Sequence, residues 1–261
     1  MKNVLGVVMA GGRGSRLAPV TEVVNKHLLP VYQKPMIFYA LTNLVLSGVS
    51  EIALITNRDD VLTFERLLQP LFENSNCKLS ILAQEKPNGI AEVFGIVSEL
   101  RGDRDLLLHL GDNLFFGHDF ITRIKHAIAG EISVVFSYTV KDPSAFGVIK
   151  VDNNRVIEII EKPKEFVSNE IVTGLYFYKS NDLELSNKLA FSNRGELEIT
   201  QMNNLIIQES NLGFIRLERG DIWYDCGTFD DLASATQFIR FAEERHSVKI
   251  GNLTEILGVK G

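Results

Sequence analysis

Three glycines and two arginines fall within six residues of the stretch "VVMAGGRGSRLAPVTEVVNKHLLPV", residues 7–31. Gly11, Gly12 and Gly14 remove side-chain bulk, so backbone N–H groups can approach a phosphate chain, and Arg16 and Lys26 can neutralise its charge. Neither common phosphate template fits. A Walker loop needs glycine, lysine and a hydroxyl residue in succession, and Lys26 follows Asn25; a dinucleotide fingerprint needs a third glycine where Leu17 stands. Within residues 1–30 the basic side chains of Lys2, Arg13, Arg16 and Lys26 are opposed only by Glu22, which points to a small anion held locally.

Two carboxylates stand in company suited to the same chemistry. Asp112, in "LLLHLGDN", follows an apolar strand and a glycine, where it is poorly placed to serve the core and well placed to point into a site. Asp225, in "GDIWYDCGTFDDL", is flanked by apolar residues and precedes a glycine after one intervening cysteine. Two carboxylates, a glycine loop and basic side chains are together what metal-assisted phosphoryl chemistry requires, with magnesium as the expected ion.

Such groups need a scaffold that presents strand ends together. Apolar β-rich runs alternate with helix-period segments: "VLGVVMA", a helix near residues 36–47, "EIALIT", a helix near 60–68, "KLSILAQ", a helix from Ile90, and "DLLLHLG". This alternation predicts a parallel sheet with crossover helices, and ligands bind at the carboxyl ends of such strands. After residue 130 the pattern turns to strand-like runs, "ISVVFSYTV", "FGVIKV", "VIEII" and "VTGLYFY", before further helices. The expectation is an α/β fold with a mixed, mostly parallel central sheet and a small β-rich part. No repeat or long linker divides it, so residues 1–261 read as a single domain, with parts at about 1–130 and 131–261.

Composition bounds the partners. With 261 residues and 45% hydrophobic content the chain can bury a large core, and a net charge of −6 argues against a nucleic-acid or anionic-membrane surface. Cys77 and Cys226 lack metal-type spacing and read as reduced thiols in a cytoplasm. "MKNVLGVVMAGG" does not read as a signal peptide, and no stretch has the length and apolarity of a bilayer span.

The order of "AGGRGSRL", "NKHLLPV", "KPM", "GDNLFFGHD", "DPSAFGV", "EKP", "VTGLYFY", "RGELEIT" and "WYDCGT" resembles the sugar-1-phosphate nucleotidyltransferases, and within them the glucose-1-phosphate thymidylyltransferases. The resemblance covers nearly the whole chain. It implies a Rossmann-like nucleotidyltransferase core with a nucleotide-binding first part and a sugar-phosphate-binding second part. It further implies Mg2+-dependent reaction of dTTP with glucose 1-phosphate to give dTDP-glucose and pyrophosphate, and a homo-oligomer, tetramer or dimer. Carried over, Gly11, Gly12 and Gly14 lie against the nucleotide phosphates, and Arg16 and Lys26 bind them. Gln84 and Gly89 look like the base-reading pair, and Asp112 and Asp225 like the metal carboxylates. Gly147, Glu161 and Val172 resemble sugar-contacting positions, and Lys162 and Arg194 those that hold the sugar phosphate.

Two positions depart from the family's pattern: Phe146, where many relatives have tyrosine, and Glu92, where glutamine is common; His27 replaces a glutamine common in longer members, and short members can also carry histidine. The ending "EERHSVKIGNLTEILGVKG" resembles the family's short form. Two other readings share these motifs: an enzyme using UTP or an amino-sugar phosphate, and a catalytically silent nucleotide-sugar-binding regulator. Retention of Arg16, Lys26, Asp112, Lys162, Arg194 and Asp225 argues against the silent one.

Overall fold

The computed structural model describes residues 3–246 and 249–259, so Lys2 lies outside the described residues. The chain forms two compact units interleaved in sequence. One comprises Leu5–Pro87, His109–Gly117 and Ile222–Gly261; the other contains Asn88–Leu108 and His118–Asp221. The change of pattern near residue 130 therefore falls inside the second unit.

In the first unit the strands Val4–Ala10, Glu51–Asn57 and Lys78–Gln84 run parallel, in that order, with Ala10 opposite Thr56 and Asn57 opposite Gln84. Every residue of Val4–Ala10 is buried, the burial expected of a strand covered on both faces and the reason its sequence is an unbroken apolar run. Helices Ile37–Leu46 and Val61–Phe72 supply the crossovers. A separate antiparallel pair, Asn113–Phe116 with Ile222–Asp225, sets Asp225 opposite Asn113. Behind it Met36, Tyr39, Leu114, Cys226, Ala235 and Ile239 form one apolar cluster, which anchors the helix Phe229–His246.

In the second unit the long strand Glu170–Tyr178 pairs antiparallel with Ser133–Thr139, and Ile171 faces Val148 of Gly147–Asp152. Gly147–Asp152 turns back into Arg155–Glu161, whose last residue stands opposite Gly147. Leu212–Arg216 runs parallel to Ser133–Thr139, and helices Phe120–Ala129 and Ile199–Glu209 belong to the same unit.

The fold is thus α/β, with a parallel part and a mixed part, as the sequence pattern predicts. One element differs. In place of one helix from Ile90 there is a 3-10 turn, Ile90–Glu92, and two short helices, Val93–Ile96 and Ser98–Arg101. Val93, Gly95, Ile96 and Val97 are poor helix formers in close succession, which is where the helix is interrupted. Among the described residues no helix is long and apolar enough to cross a membrane.

Candidate active site

The chain leaves the buried strand Val4–Ala10 directly into the glycine loop. Gly12 has φ +99°, a conformation that L side chains rarely adopt, and open space where a Cβ would sit; glycine is required there by the backbone alone. Its N–H donates to Asn57 Oδ1 at 3.1 Å, and Asn57 Nδ2 donates back to its carbonyl at 3.3 Å. The Gly12 amide is therefore engaged inside the loop. At Gly11 a Cβ would lie 2.6 Å from Gln84 Oε1, so a side chain there would displace the end of Gln84. That contact puts the buried amide of Gln84 beside the loop. A cavity of about 730 Å3 opens here, lined among others by Gly12, Arg13, Ser15, Asn25 and Lys26.

The short strand pair explains how two distant carboxylates meet. With Asp225 opposite Asn113, and Cys226 N–H donating to the carbonyl of Asp112 at 2.8 Å, Asp112 and Asp225 become neighbours. Asp112 Oδ2 is ion-paired to Lys26 Nζ, and its Oδ1 accepts from Asn113 Nδ2 at 3.0 Å. Burial alone would raise the Asp112 pKa, but the Lys26 charge, a weaker contribution from His27 and these hydrogen bonds outweigh it and hold the carboxyl well below the usual range. Asp225 goes the other way. Burial, then the negative charge of Asp112, push it up to about 6 against the opposing pull of Arg16 and Lys26.

Arg16 lies across the turn that follows Asp225. A Cβ on Gly227 would sit 2.5 Å from Arg16 Nη2 and 3.0 Å from Cζ, so the absent side chain at 227 is the space the guanidinium occupies. Gly227→Ala is accordingly expected to leave stability almost unchanged, since only the flexible end of Arg16 must move, while lowering kcat/KM for the nucleotide by about tenfold. Thermal melts beside steady-state kinetics check this; unchanged kinetics would show that the Arg16 position is immaterial.

Asp112 and Asp225 offer hard oxygen donors, which fit a magnesium ion that keeps waters and takes substrate phosphate oxygens as further ligands. Among the described residues no group of three or more His, Cys, Asp or Glu is arranged to hold a metal.

His27, His109 and Cys226 are buried and held in their neutral forms. His27 is buried and its pKa falls to about 3, chiefly through burial and then the Lys26 charge; its Nδ1 faces Asn25 Oδ1 at 2.8 Å. His109, lowered to about 4 by burial, lies between Asn43 and the Leu110 carbonyl. The Cys226 thiol is fully buried, and desolvation followed by the Asp112 and Asp225 charges drives its pKa far up, so it holds its proton. His118 is exposed just before the helix Phe120–Ala129.

In the second unit Gly147 stands opposite Glu161, and Thr200 Oγ1 donates to Glu161 Oε2 at 2.6 Å. Arg194 Nη2 reaches Glu198 Oε2 at 2.6 Å and Glu161 Oε1 at 3.4 Å, and Lys162 Nζ lies 3.9 Å from the same Glu161 oxygen. Four of the sequence-derived positions, Gly147, Glu161, Lys162 and Arg194, are thereby brought together. Val172 is buried in the neighbouring strand. Gly89 is tied to the same region: Leu197 N–H donates to the Asn88 carbonyl at 2.6 Å and Ala91 N–H to the Leu197 carbonyl at 3.1 Å. Thr200 and Glu198 are polar partners not singled out from sequence, although both lie in "RGELEIT". At the departures, the Phe146 carbonyl accepts from Lys162 N–H at 2.9 Å, which needs no phenolic hydroxyl, and Glu92 Oε1 accepts from Asn88 Nδ2 at 2.8 Å.

A glycine loop with converging basic side chains and paired carboxylates, on an α/β scaffold, defines an enzyme class that works on phosphorylated nucleotides. The chain belongs to the nucleotidyl transferase family, whose model matches residues 5–241. It is 40% identical over 253 residues to a glucose-1-phosphate thymidylyltransferase of Neisseria meningitidis serogroup A / serotype 4A, covering 96% of this chain and 88% of that one. The same enzyme of Mycolicibacterium smegmatis is 40% identical over 255 residues, covering 96% and 87%. Among solved structures, a Bacillus anthracis protein assigned as glucose-1-phosphate thymidylyltransferase and solved with a sucrose superposes with a TM-score of 0.82 at 34% identity, covering 97% of this chain and 99% of that one. A UDP-glucose pyrophosphorylase complexed with UDP-glucose shares the fold, with a TM-score of 0.79 at 21% identity, covering 94% and 100%.

Proposed function

We propose that the protein transfers a thymidylyl group from dTTP to glucose 1-phosphate, giving dTDP-glucose and pyrophosphate. The observation that carries this reading is the convergence of Arg16 and Lys26 with Asp112 and Asp225 beside the glycine loop. The relatives that share the family at 40% identity bear this activity in their names, which supports the choice of substrates.

A sugar phosphate monoester has its second pKa at about 6 by analogy with phosphorylated side chains, so near neutrality it is already mostly dianionic and its oxygen needs no general base. That oxygen forms the new bond to the α-phosphorus of dTTP, the bond from the α-phosphorus to the bridging oxygen breaks, and pyrophosphate leaves. Arg16 binds the triphosphate and stabilises charge on the leaving group. Lys26, which is paired with Asp112 in this structure, does the same from the other end of the loop. Magnesium held by Asp112 and Asp225 would supply charge screening between two anionic substrates. In the second unit Lys162 and Arg194 hold the sugar phosphate by charge-assisted contacts, and Gly147, Glu161 and Val172 bound the sugar. The displacement is direct, with no enzyme nucleophile, in keeping with the protonated, buried Cys226.

A cytoplasmic setting, supported by two buried free thiols, and a homo-oligomeric state, supported by the family likeness alone, complete the proposal. The test is conversion of dTTP and glucose 1-phosphate to dTDP-glucose with equimolar pyrophosphate. Lys162→Ala and Arg194→Ala are expected to raise KM for the sugar phosphate by about tenfold or more while changing dTTP binding less. Absence of dTDP-glucose with the intact protein, or equal loss for both substrates in the variants, would overturn the assignment.

A further inference from the structure

We propose that Asp60 is the positioning residue of the phosphate loop and acts through two asparagines, Asn25 and Asn57. The readout in turnover rests on the function proposed above; the structural argument does not. Asp60 lines the cavity together with Gly12, Asn25, Lys26 and Asn57. A carboxylate beside an anion-binding loop repels the ligand, so its presence calls for another role.

Its hydrogen bonds supply that role. Asp60 Oδ2 accepts from Asn57 Nδ2 at 2.9 Å and from Asn25 Nδ2 at 2.8 Å. An ionised carboxylate only accepts, whereas a side-chain amide has a donor end and an acceptor end of nearly equal size that can exchange places. Asp60 therefore admits only the nitrogen of each amide. With Asn57 Nδ2 turned to Asp60, Asn57 Oδ1 is the atom presented to Gly12 N–H, at 3.1 Å. With Asn25 Nδ2 turned the same way, Asn25 Oδ1 accepts from His27 N–H at 3.0 Å and caps the 3-10 turn Lys26–Leu28 that carries Lys26. One carboxylate so orients both the glycine end and the lysine end of the loop.

The two ends are not equally dependent on it. Asn25 Nδ2 has further acceptors in the Ala10 carbonyl at 3.0 Å and Thr56 Oγ1 at 3.4 Å, whereas among the described residues Asn57 Nδ2 has besides Asp60 only the Gly12 carbonyl at 3.3 Å. Loss of Asp60 falls first on Asn57 and Gly12.

The experiment compares the full-length wild-type protein with Asp60→Asn, Asp60→Ala, Asn57→Ala and the Asp60→Ala/Asn57→Ala double variant. Kinetics with dTTP and glucose 1-phosphate are measured beside calorimetric binding of tripolyphosphate, which needs no turnover, and thermal melts confirm the folded state. Asp60→Ala is expected to raise KM for dTTP and Kd for tripolyphosphate by about tenfold, with KM for glucose 1-phosphate within about twofold of wild type. Asp60→Asn keeps one accepting carbonyl but can also turn over, so it should recover part of the loss and fall between Asp60→Ala and wild type. Because Asp60 acts through Asn57, the double variant should be no worse than the single ones. If Asp60 is merely a charge near the phosphates, Asp60→Ala will bind tripolyphosphate more tightly than wild type, and the proposal fails. It also fails if Asp60→Asn is as impaired as Asp60→Ala, or if the two losses multiply in the double variant. A wild-type protein inactive toward dTTP and glucose 1-phosphate would sink the proposed function instead, and the tripolyphosphate arm would still decide the role of Asp60.

Discussion

Asp225→Asn is expected to lower kcat by about a thousandfold, equivalent to about 4 kcal/mol of lost transition-state stabilisation, with a weakened dependence on magnesium concentration. Asparagine nearly preserves shape and keeps one oxygen, so what is lost is the negative charge that a hard dication needs. Asp112→Asn should cost a similar amount for the same reason. The two variants part company in stability. In the metal-free protein the Asp225 pKa is raised from 3.8 to about 6 by burial and by Asp112. A carboxyl whose folded pKa lies above its unfolded value costs stability as pH rises through that window, so at neutral pH the full penalty applies. Asp225→Asn removes it, and the metal-free variant should melt higher than wild type at neutral pH, with the difference vanishing below about pH 4. Asp112 is the opposite case. Its carboxylate is the partner of Lys26, and neutralising it leaves that ammonium unpaired, so the Asp112→Asn protein should melt lower. Magnesium titrations of turnover together with metal-free melts across pH would check both. Near-normal turnover in both variants would refute the two-carboxylate assignment, and a lowered melt for Asp225→Asn would refute the electrostatic account of it.

This opposition also marks what could be read from sequence and what could not. The strands Val4–Ala10, Glu51–Asn57 and Lys78–Gln84 are legible because burial on both faces makes them continuous apolar runs bounded by polar or glycine punctuation. Asp112 and Asp225 are legible as candidates because each follows such a run. Their mutual position is not, because it depends on the register of Asn113–Phe116 against Ile222–Asp225, two four-residue strands far apart in sequence whose own patterns are too short to declare themselves. The same limit hides the partner of Lys26. A basic residue after a glycine loop reads as a phosphate ligand, and only the fold brings Asp112 to it. Asn57 and Asp60 were hidden for a different reason: at the boundary between a strand and the helix Val61–Phe72, asparagine and aspartate are ordinary helix-start residues, and nothing in their spacing distinguishes a buttress from a cap. The interleaving of the two units is likewise silent in composition. The strand-rich change after residue 130 can be seen, but the return of Ile222–Gly261 to the first unit leaves no periodic trace.

Base choice should show the largest discrimination the protein makes. Gln84 ends the third parallel strand opposite Asn57, is buried, and places its amide against Gly11, whose missing Cβ leaves the room. A glutamine amide offers one acceptor and two donors, which can pair with the N3–H and O4 edge of thymine or uracil. Cytosine presents an acceptor at N3 and a donor at N4 and demands the reverse. Discrimination against it requires an amide that cannot turn over, and a buried amide packed against backbone at Gly11 meets that condition better than an exposed one. A site built to hydrogen-bond one edge rejects the wrong one by about 10,000-fold, because its buried polar groups are then left unpaired, and purines fail on size as well. The thymine methyl can add only about 1–3 kcal/mol in an apolar pocket, so dTTP over UTP should be a graded preference of about 10- to 100-fold. The expected order in kcat/KM is therefore dTTP, then UTP, with CTP, ATP and GTP far behind, and Gln84→Ala should compress it by lowering dTTP and UTP more than CTP. Gly11→Ala should act in the same direction, since its methyl group would push the Gln84 carbonyl oxygen from its place without touching the base. Steady-state kinetics over the five nucleotides with glucose 1-phosphate would decide the matter. CTP or a purine nucleotide as the best substrate would end the thymidylyl assignment, and an unaltered order in both variants would remove Gln84 from base recognition.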